Sequence, residues 1–190
     1  MRHPARSALI LSVSECRKIE NVALIGFMGT GKSSVGRLAA ELLQFTFVDT
    51  DEMIETTAGK SIFKIFEEDG ENVFREYERR ILEELRSLKR SVISTGGGVG
   101  GSEANLASLK QHALVVCLWA SPQIIWTRVR TQTHRPLLQT PDPKAKIQEL
   151  LALREPFYRQ ADVLVNTEVR SVREVAQHVA HEFHFATRHR

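Results

Sequence analysis

The sequence predicts a three-layer α/β sandwich on a parallel sheet, and three observations carry that expectation. Strand-like and helix-like segments alternate from Val22 to Phe183 of the 190-residue chain. The run Ala113–Trp119 is continuously apolar, as in a strand covered on both faces. A glycine-rich turn, Gly26–Ser33, sits where a strand should pass into a helix.

The first element is a short apolar strand, Val22–Ile25. Lys32–Leu43 places Val35, Leu38, Ala39, Leu42 and Leu43 at helical spacing, and Phe45–Val48 reads as a second strand ending at Asp49. Glu52 to Lys89 is helix-rich and interrupted at Gly59 and Gly70. Within it the charged segment Glu71–Leu88 buries Phe74, Tyr77, Ile81, Leu82 and Leu85. Ser91–Ser94 is a third strand running into Gly96, Gly97 and Gly98. A helix over Glu103–His112 precedes the fourth strand, Ala113–Trp119, and Ile124–Arg130 opens another helix. Thr131–Pro143 is polar and aperiodic, the pattern of a mobile loop. Lys144–Arg159 is helical, Val163–Asn166 is the last strand, and Val172–Phe183 is a closing amphipathic helix.

Composition excludes several classes. A hydrophobic share of 42% with 26% charged residues is ordinary for a globular chain. No apolar run approaches the roughly 20 residues of a membrane helix, so no membrane partner is expected. The 26 basic and 23 acidic residues are mixed, and a net charge of +3 suits small anions better than nucleic acid. The two cysteines, Cys16 and Cys117, give no disulfide framework, and Cys117 reads as a buried small hydrophobe; this agrees with a reducing compartment, and a cytoplasmic setting is expected. Residues 1–20 are expected to be a poorly ordered extension. The patch Ala8–Val13 is too short for a signal peptide, and an organelle-targeting presequence, suggested by Arg2 and Arg6, is the minority alternative. His178, His181 and His184 read as a solvated helix face rather than a metal site.

Gly26-Phe-Met-Gly-Thr-Gly31-Lys32-Ser33 matches G-x-x-x-x-G-K-[ST] in full. Its glycines let successive amides approach phosphate oxygens, and the helix start beyond them favours negative charge. Lys32 supplies a cation for the β- and γ-phosphates, and Ser33 a hydroxyl for Mg²⁺. Asp49-Thr50-Asp51 follows the second strand. If extended geometry persists there, both carboxylates project to one side at the carboxyl edge of the sheet, where open α/β folds bind ligands. One would then serve the Mg²⁺ shell through water, and the other would bond a substrate hydroxyl and take its proton. A helix cap on a solvated turn is the plainer alternative. Gly96–Gly98 marks a close approach. Arg75, with Glu78 one turn on to orient it, Arg135 and Arg154 offer the planar forks that a carboxylate or a transferring phosphate requires.

From about Asn21 to Val179 the chain resembles the shikimate kinase family. G-F-M-G-T-G-K-S-S, D-T-D, F-R-E-Y-E, T-G-G-G, R-P-L-L and L-R-E-P-F-Y occur in family order and at family-like spacing. The resemblance implies a nucleoside monophosphate kinase-like P-loop fold with sheet order 2-3-1-4-5. A single domain over 21–190 would carry a substrate-binding helical region at about 52–89 and a lid at about 131–143. It also implies ATP-dependent phosphorylation of the shikimate 3-hydroxyl, in the pathway to chorismate and aromatic amino acids, by a monomer using one Mg²⁺ ion. Carried over by position, Asp51, Arg75, Gly97, Gly98 and Arg154 would contact shikimate, with Asp51 the candidate base. Gly29, Thr30, Gly31, Lys32, Ser33, Ser34, Arg128, Arg135 and Arg170 would contact ATP, Arg128 by stacking on adenine. Ser33 would bind Mg²⁺ directly and Asp49 through water, while Lys32 and the lid residue Arg135 would neutralise charge on the transferring phosphoryl. Some features depart from the usual family pattern: Arg128–His134 is less charged, Val172 stands where a proline is common, and residues 1–20 have no counterpart in short members.

A gluconate kinase or a nucleoside monophosphate kinase would share the phosphate loop but not the accompanying D-T-D, F-R, G-G-G and R-P-L-L set. A GTPase would need N-K-x-D, and that tetrapeptide is absent. A nucleic-acid-dependent ATPase would call for stacking aromatics on a basic face, against two Tyr and two Trp here.

Overall fold

A computed structural model describes residues 17–131 and 140–188. The strands are β1 (Asn21–Ile25), β2 (Thr46–Asp49), β3 (Ser91–Ser94), β4 (Ala113–Trp119) and β5 (Val163–Asn166). They form one sheet in the order β2-β3-β1-β4-β5, with every pairing parallel. Between them run α1 (Lys32–Leu43), α2 (Thr50–Ala58), α3 (Ile62–Lys64), α4 (Gly70–Glu84), α5 (Glu103–Lys110), α6 (Pro122–Val129) and α7 (Pro143–Tyr158), and α8 (Val172–Arg188) follows β5.

Alternation along each strand feeds two cores. Val22 and Leu24 of β1 face Val35, Ala39, Val175 and Val179 of α1 and α8. Ala23 and Ile25 face the other layer, with Ile54, Ile81, Leu109, Ile125 and Ile147. Both faces of β1 are therefore dry and all five of its residues are buried, which is why the strand shows no polar alternation.

Several expected boundaries shift for local reasons. Phe45 precedes β2, which begins at Thr46 and takes in Asp49. Gly70 interrupts the helical region as expected: a π turn over Ile65–Asp69 is capped there at φ 85° and ψ 171°, outside helical geometry, before α4 sets off. Gly59, at φ 67°, ends α2. On α4 the buried set is Phe74, Glu78, Ile81 and Leu82, while Tyr77 is half-buried; Glu78 displaces it because that side of the helix faces a polar cleft rather than the core alone. Asp142 caps α7 by accepting from the Ala145 amide at 3.0 Å, and α8 continues beyond Phe183 to Arg188. Cys16, the extension over residues 1–16, and the lid residues 132–139 with Arg135 lie outside the described residues. Among the described residues no helix is long and apolar enough to cross a membrane.

Candidate active site

The carboxyl ends of β1, β2 and β3 open into a cleft of about 880 Å³. Its first wall is the turn between β1 and α1. Gly29 and Gly31 hold φ of 76° and 92°, in the region where only glycine is unstrained, and this brings the chain round into α1 at Lys32. Lys32 Nζ donates to the carbonyl oxygens of Gly26 at 2.9 Å and Phe27 at 3.0 Å, so the ammonium curls back over the loop. Thr30 turns inward, its buried hydroxyl donating to the Phe27 carbonyl at 2.8 Å, and it does not line the cleft. Gly29, Gly31, Lys32, Ser33 and Ser34 do. Ser33 Oγ donates to Asp49 Oδ2 at 2.8 Å and lies 3.3 Å from Ser94 Oγ.

The second wall corrects the expected geometry of Asp49-Thr50-Asp51. Extended backbone stops at Asp49, which caps α2 by accepting from the Asp51 amide at 3.0 Å. Asp51 therefore reaches the cleft from the first turn of a helix rather than by strand alternation, and both carboxylates line it. Cap and cleft roles coexist. Between them Thr50, which the motif reading passed over, is buried and accepts from the Gly96 amide at 2.8 Å, tying α2 to the triglycine segment.

That segment lacks side chains because acidic and basic groups press against it. A Cβ on Gly96 would lie 2.5 Å from Asp51 Oδ1, and one on Gly98 would collide with the Arg75 guanidinium. Arg75 donates to Glu78 Oε2 at 2.5 Å and to Glu71 Oε1 at 2.8 Å. Glu78 is only 4% exposed. Burial raises its carboxyl above the ordinary range, against the opposing pull of Arg75. Its Oε1 has no hydrogen-bond partner among the described residues. From α7, Arg154 donates to the Gly97 carbonyl at 2.7 Å and lies 5.4 Å from the centroid of the Phe27 ring. Phe66 and Phe74, with centroids 4.7 Å apart, make an apolar flank. Beneath the loop, burial pushes the Cys117 thiol up to about 12, so it stays neutral.

At the far end Arg128 is held by Thr167, donating to its carbonyl at 2.6 Å and its hydroxyl at 3.0 Å, and to the Gly29 carbonyl at 3.3 Å. Thr167 is a partner that no motif announces. Arg170 is exposed, in the segment between β5 and α8, and does not line the cleft.

The chain is similar to known proteins along most of its length. A family model described as shikimate kinase matches residues 28–184. A shikimate kinase of Thermodesulfovibrio yellowstonii is 44% identical over 165 residues, covering 87% of this chain and 95% of that protein. One from Synechococcus sp. is 49% identical over 145 residues, covering 76% of each. The solved shikimate kinase from Acinetobacter baumannii, in complex with shikimate, gives a TM-score of 0.84 at 37% identity and covers 92% of this chain and 97% of that one. A gluconokinase from Sinorhizobium meliloti, at 18% identity over 89% of this chain and 94% of its own and a TM-score of 0.59, shares the fold alone. A family match over residues 28–184 and identities of 44% and 49% over most of the chain show that it belongs to the shikimate kinase family.

Proposed function

We propose a division of labour within the cleft for the reaction the chain catalyses, transfer of the γ-phosphoryl of ATP to the 3-hydroxyl of shikimate. One observation carries it: Lys32 and Ser33 open onto the same cleft as Asp51, Arg75 and Arg154. A phosphate donor and a hydroxylated carboxylate acceptor can therefore meet there without leaving the protein.

The amides of Gly29 to Ser34 cradle the β- and γ-phosphates, and Lys32 moves from its carbonyl partners onto the phosphate oxygens. Arg128 stacks on adenine, and Arg170 adds a weaker contact at that end. Arg75 and Arg154 take the shikimate carboxylate as two planar forks, aided by the amides of Gly97 and Gly98. Asp51 orients the 3-hydroxyl and accepts its proton as the phosphoryl leaves ATP, although a loose transition state needs little help from a base. Arg135, in a lid at about 131–143, closes over the phosphates and excludes water, limiting ATP hydrolysis.

The Ser33 hydroxyl and the Asp49 carboxylate suit one Mg²⁺ ion. They are hard oxygen donors already 2.8 Å apart beside the phosphate loop, so Ser33 would ligate directly and Asp49 through water. When bound, the ion neutralises charge across the β- and γ-phosphates. In this reading residues 21–190 form one kinase domain, preceded by a 20-residue extension. It works as a cytoplasmic monomer on ATP and shikimate, with neither nucleic acid nor membrane as partner.

Purified protein with Mg²⁺ and ATP is expected to form ADP only when shikimate is supplied, as read in a coupled assay. Equal turnover with gluconate, or none with shikimate, would overturn the reading.

A further inference from the structure

A second cavity, of about 550 Å³, lies between α4 and α5 behind the cleft and shares Arg75, Glu78, Gly98 and Arg154 with it. Its volume falls within the range of small-molecule sites. On the α4 side Arg79 and Arg86 face in, seven residues apart and outside the substrate cleft. Arg79 makes no hydrogen bond or ion pair among the described residues. Arg86 donates to Ser108 Oγ at 3.2 Å and pairs with no carboxylate among them. The groove's two carboxylates are Glu83 and Glu78, and the second is bound to Arg75. The opposite side presents Ser102, Asn105 and Ser108 at spacings of three, one polar stripe along α5 and its cap.

We propose that this groove is a regulatory site for a small hydroxylated carboxylate whose occupancy opposes shikimate binding. Arg79 and Arg86 supply the carboxylate contacts. The α5 stripe receives the hydroxyls. An anion held there sits beside Arg75 and Arg154, and like-charge repulsion weakens the hold of those two guanidiniums on the carboxylate in the cleft. This consequence rests on reading Arg75 and Arg154 as the shikimate carboxylate contacts.

The test uses L-malate as the probe, with wild-type protein and the Arg79→Ala/Arg86→Ala double variant at constant free Mg²⁺. Malate should raise the KM for shikimate in wild type without changing the KM for ATP. The double variant should keep wild-type activity when malate is absent. Its malate inhibition constant should weaken by about a hundredfold or more, the loss of two charge-assisted contacts. Calorimetric titration of malate without substrates should show the same difference. The affinity lost in the double variant reports the groove without shikimate present, so it separates a failure of the groove from a failure of the roles given to Arg75 and Arg154. Equal malate affinity in the two proteins, or no binding to wild type, overturns the proposal.

Discussion

The loop at Gly26–Ser33 and the acceptor wall of α2, α4, α7 and the triglycine segment face one another across a single cleft, yet they are held ready differently. The loop is shaped by backbone. Positive φ at Gly29 and Gly31, and carbonyl contacts that keep Lys32 folded over the turn, fix it within a few consecutive residues. The acceptor wall is shaped by charge drawn from distant segments: Arg75 on Glu78, Arg154 on the Gly97 carbonyl, and Asp51 against Gly96. A backbone site is cheap to keep but indifferent to what lies opposite. A side-chain site selects its ligand and carries the cost of buried charge.

The sharpest way to separate the halves is Lys32→Ala. It should lower kcat by about a thousandfold or more in the coupled assay, because it removes a charge that counts most when the phosphoryl is in flight. Asp51→Asn should lower kcat by roughly a hundredfold, with ATP binding unchanged. Near-normal turnover there would remove Asp51 as both base and orienting group. Arg154→Ala should leave the KM for ATP alone and raise that for shikimate by about two orders of magnitude, the loss of a bidentate charged contact.

Glu78→Gln tests the cost of the acceptor wall. Arg75 loses its closest partner, and the KM for shikimate should rise by about tenfold. Stability should move the other way. Burial raises the Glu78 carboxyl above its unfolded value, so the folded chain holds the proton to higher pH than the unfolded chain does. Folding takes up a proton in that window, and stability falls as pH rises through it. At neutral pH the variant should melt at a higher temperature than wild type. The gap should close under acidic conditions, where wild type is protonated as well. The smallest effect is expected from Arg128→Ala. Thr167 and the Gly29 carbonyl would lose their donor, and the KM for ATP should rise by only about fivefold.

The same contrast explains what the sequence made legible. Ala113–Trp119 and Ser91–Ser94 are recognisable because strands dry on both faces need no polar alternation. The phosphate loop is recognisable because its chemistry is contiguous. The acceptor wall is less so. Asp49 and Asp51 were visible as a pair, but the cap that brings the helix start to the cleft depends on where β2 ends. Thr50 and Thr167 hold functional groups through contacts that span 46 and 39 residues, which no local pattern encodes. Glu78 could be placed beside Arg75 by helical spacing, whereas its burial follows only from the packing of α4 against the cleft.

Calorimetric titration of shikimate into Lys32→Ala and Arg154→Ala measures the division between the two walls most directly. Lys32→Ala should bind shikimate as wild type does while its turnover falls by about a thousandfold or more, and Arg154→Ala should bind it about a hundredfold more weakly. Loss of shikimate affinity in Lys32→Ala, or its retention in Arg154→Ala, would contradict the account.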